Sequence, residues 1–415
     1  MGSTNMSKRV EPEIETFARI RVVGVGGSGG NAINHMINSK VRGVEFVAVN
    51  SDAQDLHRSL SKRKIHIGKN LTRGLGTGMN PDLGKRAAEE TRQQLQESLQ
   101  GSDMVFITCG MGGGTGTGAS AVIAKIAKEV GALVIAIVTK PFSFEGAQRK
   151  DIADRGLSEL KKEVDAFIVI PNDKLLAVVE KTLSLKHAFA LCDEVLREAV
   201  EGVSDIIRTP GDINTDFNDI KAVMEGAGPT LMGIGVAEGD ERAKEAAQRA
   251  VNSPLLDISI SGAKGVLWVV AHSDDLGIME VHEASKIISE SVDKNAKIIW
   301  GVMRDNKLKK GQVRIIVIAT GFPESASNSS HPGIERSLFS MAVPADKRDE
   351  AKGRIYHEIL KHEEKSEVKS ETESVVNKEE PIVTATPHKR ENTPQAPEDD
   401  ETWGAIPAFL RRHKK

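Results

Sequence analysis

The chain has 415 residues, a formal net charge of −3, 39% hydrophobic residues and two cysteines. Its length and apolar content suffice for two cores, and the near-balanced charge excludes bulk electrostatic capture of nucleic acid or of an anionic membrane. Cys109 and Cys192 offer neither a disulfide framework nor a metal-ligand cluster, which predicts small buried thiols in a reducing cytosol. No apolar run approaches the roughly 18–20 residues of a membrane span, and Met1–Arg19 is polar where a signal peptide needs an apolar core. The expectation is a cytoplasmic protein with no direct membrane insertion.

Residues 1–18 read as a flexible leader. After it, short β-branched runs alternate with helical patterns: strands over Arg19–Val25, Val44–Asn50, Met104–Cys109, Leu133–Thr139 and Ala166–Pro171, and helices over Asn31–Ser39, Pro81–Gln100, Ala119–Lys128 and Ala147–Glu163. Nearly continuous apolar strands separated by helices predict a parallel sheet covered on both faces, with ligands at the carboxyl ends of the strands. This is an α/β nucleotide domain over residues 19–182. A long helix over Leu183–Ile207, with Leu185, Phe189, Leu196, Val200 and Val203 at helical spacing, joins it to a smaller α/β domain. That second domain, within residues 209–322, has strands at Leu231–Ala237, Val266–Ala271, Lys297–Met303 and Val313–Ala319 and helices at Glu241–Val251 and Met279–Val292. Residues 323–402 have too few apolar side chains to offset the entropy of ordering and read as a disordered linker. Residues 403–415 restore Trp403, Ile406, Phe409 and Leu410 before Arg411 and Arg412, the pattern of a docking peptide.

Three glycine loops carry the chemistry. Gly24-Val25-Gly26-Gly27-Ser28-Gly29 follows the first strand and opens a helix at Gly30-Asn31, a pattern shared with dinucleotide sites; Asp52 after the second strand is placed to meet a ribose. A loop over Gly74, Gly76, Gly78 and Pro81 precedes another helix. The run Gly112-Gly113-Gly114-Thr115-Gly116-Thr117-Gly118 lies between a strand and an apolar helix, where consecutive backbone N–H groups converge on an anion. Thr115 and Thr117 add hydroxyls, and Ala119 stands where a Walker A loop has Lys, so backbone dipoles and a metal must neutralise the phosphate. A second glycine cradle is surplus to a NAD-dependent oxidoreductase, and three such loops suit a triphosphate better.

The run GGGTGTG resembles the signature of the tubulin/FtsZ superfamily, and Ile20 to about Gly321 is similar to its bacterial FtsZ family. The resemblance implies a GTPase that binds GTP/GDP with Mg²⁺ held mainly through phosphates and water. It maps nucleotide contacts onto Gly26, Gly27, Ser28, Gly29, Gly30, Asn31, Gly76, Gly78 and Gly112–Gly118. Guanine contacts fall on Asn31, Phe189 and Asp193, and ribose contacts on Glu145, Arg149 and Asn172. Asn214, Asp216 and Asp219, in the run Gly211–Ile220 on a loop after the long helix, match the family's catalytic elements, which act in the neighbouring subunit's pocket. The chain departs from the family's small residues at Thr77 and Met79, and from its usual residues at Asp212 and Thr215. The terminal IPAFLRR resembles the family's docking peptide for a membrane anchor of the FtsA type. The resemblance thus implies head-to-tail filaments in the cytoplasm at the division site, with no nucleic-acid partner. A plasmid-segregating homologue, a scaffold that binds GTP without turnover and a Rossmann oxidoreductase remain the alternatives.

Overall fold

The computed structural model describes residues 18–176, 184–208, 216–253, 260–273, 276–305 and 308–322, all within one compact unit. Asn214, Asp212, Thr215 and the terminal segment with Ile406, Phe409, Leu410, Arg411 and Arg412 lie outside the described residues, as do nearly all of the leader and the linker.

The strands are β1 (Ile20–Val25), β2 (Val44–Asn50), β3 (Arg63–His66), β4 (Met104–Gly110), β5 (Leu133–Lys140), β6 (Ala166–Pro171), β7 (Gly228–Glu238), β8 (Gly265–His272), β9 (Lys297–Arg304) and β10 (Gln312–Thr320). The helices are α1 (Gly26–Asn38), α2 (Ala53–Arg58), α3 (Lys69–Thr72), α4 (Pro81–Glu90), α5 (Arg92–Leu99), α6 (Thr115–Glu129), α7 (Ala147–Glu163), α8 (Asn172–Leu176), α9 (Leu185–Arg208), α10 (Phe217–Met224), α11 (Arg242–Val251) and α12 (Ile278–Glu290).

The ten strands among the described residues form one sheet, in the order β3-β2-β1-β4-β5-β6-β7-β10-β8-β9. The first six are parallel; β10 is antiparallel to β7 and β8. Within the sheet, the two halves pair at β6 and β7 through two residue pairs, Ala166 with Gly228 and Phe167 with Pro229.

Alternation along the strands divides the core. Val22, Phe106, Ile135 and Ile168 face Leu196, Val200 and Val203 of α9, and Leu267, Ile316 and Ile318 from the second half join the same cluster. The long helix therefore fills one layer beneath both halves, each fully buried Leu or Val contributing about 1.5–3 kcal/mol. On the other face, Val23, Ile107 and Val134 pack with Leu95, Ile123 and Leu157, while Trp268, Val270 and Ile315 pack with Ala246 and Ile288.

Several expectations need correction. The helix expected over Pro81–Gln100 is two helices, α4 and α5, broken at Thr91. The Thr91 hydroxyl donates to the Ala87 carbonyl and accepts from the Gly68 N–H, competing with the helical ladder. Edge strand β3 has no periodic signal in the sequence because Arg-Lys-Ile-His holds a single apolar residue, Ile65. Helix α1 starts at Gly26, not Asn31, so its glycines form the first turn itself. The Gly211–Ile220 run is not wholly a loop: Asp216 caps α10, which begins at Phe217.

Candidate functional site

The three glycine segments meet at the carboxyl ends of β1, β2 and β4, where the parallel topology places a ligand. Gly112 adopts φ 99°, which turns the chain out of β4 and into the first turn of α6. A Cβ on Gly112 would lie 2.7 Å from Arg149 Cγ, and one on Gly26 would lie 2.9 Å from the Gly116 nitrogen. The first turns of α1 and α6 are thus in backbone contact.

The glycines divide by what they face. A Cβ on Gly114 would overlap the Thr77 hydroxyl and lie 2.7 Å from the Asn80 nitrogen; one on Gly118 would overlap the Pro81 carbonyl. These residues are small to admit the neighbouring loop and helix. A Cβ on Gly30, Gly78 or Gly113 meets nothing within 4 Å. Those positions leave backbone exposed to the cleft, with room for a ligand to approach.

Thr115 and Thr117 are largely buried. Thr117 Oγ1 accepts from the Gly112 N–H at 2.9 Å and fixes the turn. Thr115 Oγ1 lies 2.6 Å from Ser51 Oγ and 3.1 Å from Thr77 Oγ1, so three hydroxyls link β2, α6 and the Gly74–Asn80 loop. Ser51 has no signal in the sequence, since a serine after a strand carries no pattern of its own. Asp52, the acidic residue that a dinucleotide site needs for ribose, instead caps α2 by accepting from the Gln54 and Asp55 N–H groups.

The other end of the cleft is built by α1, α9 and the turns after β5 and β6. His35 Nε2 lies 2.7 Å from Glu194 Oε2, joining α1 to α9. Asn31 stands one turn earlier on α1, level with the Phe189–Asp193 turn of α9. Phe189 is partly buried, its ring edge-on to Phe142 at 5.4 Å, so it is both a core contact and a surface of the cleft. Desolvation raises the Asp193 carboxyl from its ordinary value to about 7. Burial raises the Cys192 thiol to about 12, aided by the negative charge of the Asp193 and Glu145 carboxylates. Glu145 accepts from the Phe142 N–H at 2.9 Å and pairs with Arg149 at 3.5 Å. Asn172, at the carboxyl end of β6, is buried, and its Oδ1 has no hydrogen-bond partner among the described residues. A buried acceptor without a donor is costly, and a ligand hydroxyl or N–H would satisfy it.

Asp216 and Asp219 are elsewhere. Asp216 Oδ1 accepts from the Asp219 N–H at 2.8 Å as the cap of α10, and Asp216 remains exposed. They come after the far end of α9, whose 24 residues span roughly 36 Å at the helical rise. The structure brings the glycine loops, Asn31, Glu145, Arg149, Asn172, Phe189 and Asp193 to one edge of the sheet and does not bring the acidic pair to it.

A parallel sheet with a Walker-free glycine cradle at a helix N-terminus, adjoining two more glycine segments and a half-buried aromatic and carboxylate, defines an α/β nucleotide-binding protein. Residues 19–180 match the GTPase domain of the Tubulin/FtsZ family, and residues 228–323 match the C-terminal domain of the FtsZ family. A structure of an FtsZ dimer from M. jannaschii is 47% identical over 74% of this chain and 89% of that one, with a TM-score of 0.71. A single-substitution FtsZ mutant from the same organism is 46% identical over 74% of this chain and 92% of that one, with a TM-score of 0.70. A GTPγS-bound protofilament of CetZ2 from Haloferax volcanii shares the fold at 22% identity, covering 74% of this chain and 95% of that one, with a TM-score of 0.64. The chain belongs to the tubulin/FtsZ family, whose members are GTPases, with the C-terminal domain of its FtsZ branch.

Proposed function

We propose that this chain is a GTPase whose catalytic site is completed only between two copies. The carrying observation is the separation of the glycine cleft from Asp216 and Asp219 by the length of α9. Within one subunit those carboxylates are out of reach of a nucleotide in the cleft. In a head-to-tail pair, the end of one copy bearing Asp216, Asp219 and Asn214 meets the cleft of the next.

In this reading, Gly26–Gly30, Gly76, Gly78 and Gly112–Gly118 shape the phosphate cradle: the Gly112 and Gly118 N–H groups donate to Thr117 Oγ1 and the Gly114 carbonyl, and other backbone N–H groups of these segments hold the phosphates. Asn31, Phe189 and Asp193 select guanine: an ionised Asp193 accepts from both N1–H and the exocyclic amine, an arrangement adenine cannot reciprocate. Glu145, Arg149 and Asn172 hold the ribose. Mg²⁺ would be carried on the phosphates and water, neutralising charge as it develops. The acidic pair of the neighbouring copy orients the attacking water, and hydrolysis then weakens the contact that made it possible.

Head-to-tail contacts that do not close generate filaments. Among the relatives, an FtsZ dimer and a CetZ2 protofilament accord with self-assembly. We infer further that the filament serves cytokinesis in the cytoplasm at the division site. Residues 403–415 would dock to a membrane anchor of the FtsA type through Ile406, Phe409, Leu410, Arg411 and Arg412, across a linker over 323–402. Among the described residues no helix is long and apolar enough to cross a membrane. Sedimentation with GTP, GDP or NAD, alongside phosphate release, tests the reading: pelleting and turnover with GTP alone are expected, and NAD-dependent behaviour would replace it with the oxidoreductase reading.

A further inference from the structure

The Gly74–Asn80 loop is tied at its entry and its exit. The Ala53 N–H donates to the Gly74 carbonyl at 3.1 Å, and Leu75 makes an isolated bridge with Asp52. Asn80 caps α4 by accepting from the Leu83 N–H at 3.2 Å. Between these anchors, two side chains reach across the cleft. Thr77 Oγ1 lies 3.1 Å from Thr115 Oγ1 in the first turn of α6, and Met79 Sδ lies 3.7 Å from Arg149 Nη2 on α7.

Two further observations show that these contacts are built. Thr77 fills the space that Gly114 leaves by lacking a Cβ, and it is largely buried. Met79 adopts φ 65°, a left-handed conformation that an unbranched residue holds at a cost of about 1 kcal/mol and that glycine would hold freely. The chain accepts that strain while directing a thioether toward Arg149. On the same loop Leu75 is 84% exposed, so the position of the loop sets an apolar surface next to the cleft.

We propose that Thr77 and Met79 are positioning residues that latch this loop over the glycine cradle, so that its closure depends on protein contacts as well as on a terminal phosphate. The inference rests on the cleft being the guanine-nucleotide site. Its consequence concerns the discrimination of triphosphate from diphosphate. Without the latch, residues 76–79 would be held only through the anchors at Gly74 and Asn80 and by the nucleotide; with it, GDP leaves the loop, and Leu75 with it, close to the triphosphate arrangement.

The test is amide hydrogen exchange on the full chain, saturated with GDP or with a non-hydrolysable GTP analogue, comparing wild type with Thr77→Val, Thr77→Ser, Met79→Ala and the Thr77→Val/Met79→Ala double variant. Wild type should protect residues 76–80 equally with either nucleotide. Thr77→Val keeps the shape and loses the hydroxyl, so with GDP its loop should exchange about fivefold faster, the effect of one net hydrogen bond. The triphosphate analogue should restore protection, and Thr77→Ser should resemble wild type. Met79→Ala should act in the same direction, and the double variant should exceed either. A loop in wild type that is protected only by the triphosphate, or a double variant with unchanged exchange under GDP, overturns the latch. Equilibrium binding separates the two readings: a wild-type chain that binds no guanine nucleotide removes the site and the latch together, whereas normal binding with unchanged loop exchange removes the latch alone.

Discussion

Arg208, the last residue of α9, donates from Nη1 to the Gly43 carbonyl at 2.8 Å, immediately before β2 begins. The contact fixes the end of the long helix at the amino edge of the parallel sheet, whereas the glycine cleft lies at its carboxyl edge. Ser204, one turn earlier, also meets this edge through the Arg42 carbonyl. Helix α9 therefore ends on the side of the subunit away from the cleft.

Removing the charge of Asp216 or Asp219 is expected to abolish turnover while leaving GTP affinity unchanged, because neither belongs to its own subunit's cleft. Asp216 also caps α10, so Asp216→Ala should cost roughly 1 kcal/mol of stability, which Asp216→Asn largely avoids. Phosphate release should fall about 10²-fold or more in Asp216→Asn and Asp219→Asn. A fall in affinity matching the fall in turnover would assign these residues to binding.

Guanine recognition should be pH-dependent. With its carboxyl at about 7 before ligand binds, Asp193 is mostly protonated at pH 6 and mostly ionised at pH 8. On the proposed reading the ionised form accepts both guanine donors, so the Kd for GDP should rise about tenfold from pH 8 to pH 6. Asp193→Asn should bind weakly at both values with no slope. Stability has its own sign: a raised carboxyl costs the fold stability as pH climbs from its unfolded value, near 4, towards 7, and Asp193→Asn should flatten that loss. Titration calorimetry and thermal melts across the range read both effects.

Gly113 and Gly114 are adjacent yet should fail differently. A side chain at Gly113 enters open cleft, so Gly113→Ala should keep its Tm while weakening GTP binding about tenfold. Gly114→Val drives into Thr77 and Asn80, overpacking that should lower Tm by roughly 5 °C and weaken binding as a consequence. Equal Tm losses in the two variants would contradict this division of the cradle.

The sequence made the framework legible where one residue type served one role. The apolar runs of β1, β4 and β5 are buried along nearly their whole length, so their periodicity reads correctly as a parallel sheet. Glycine loops are visible as motifs, but which glycine faces a ligand and which a neighbouring helix depends on contacts made across the sheet, as Gly113 and Gly114 demonstrate. Ser51 is silent in the sequence because its role comes from Thr115, 64 positions away. The break at Thr91 and the start of α10 at Phe217 rest on side-chain hydrogen bonds that compete with or extend a helix, which apolar spacing does not report. The distance between the acidic pair and the cleft becomes apparent only once the direction of α9 is fixed.

The terminal peptide gives an independent expectation. Deleting Trp403–Lys415 should leave GTP turnover and pelleting largely intact while abolishing binding to an FtsA-type anchor, and a scrambled linker of equal length and composition should be tolerated. Unchanged anchor affinity in the truncated chain, measured with purified components, would move the docking site elsewhere.

The central claim, a catalytic site completed by a second copy, is tested most directly by mixing two inactive subunits. One carries Asp216→Asn and binds GTP; the other carries Gly113→Val, has lost GTP binding and keeps its own acidic pair. Phosphate release is measured in the mixture after co-sedimentation verifies that both enter the polymer. Turnover well above the sum of the separate subunits is expected, arising where an intact acidic end meets an intact cleft. Verified co-assembly with no recovery of turnover would contradict catalysis in trans.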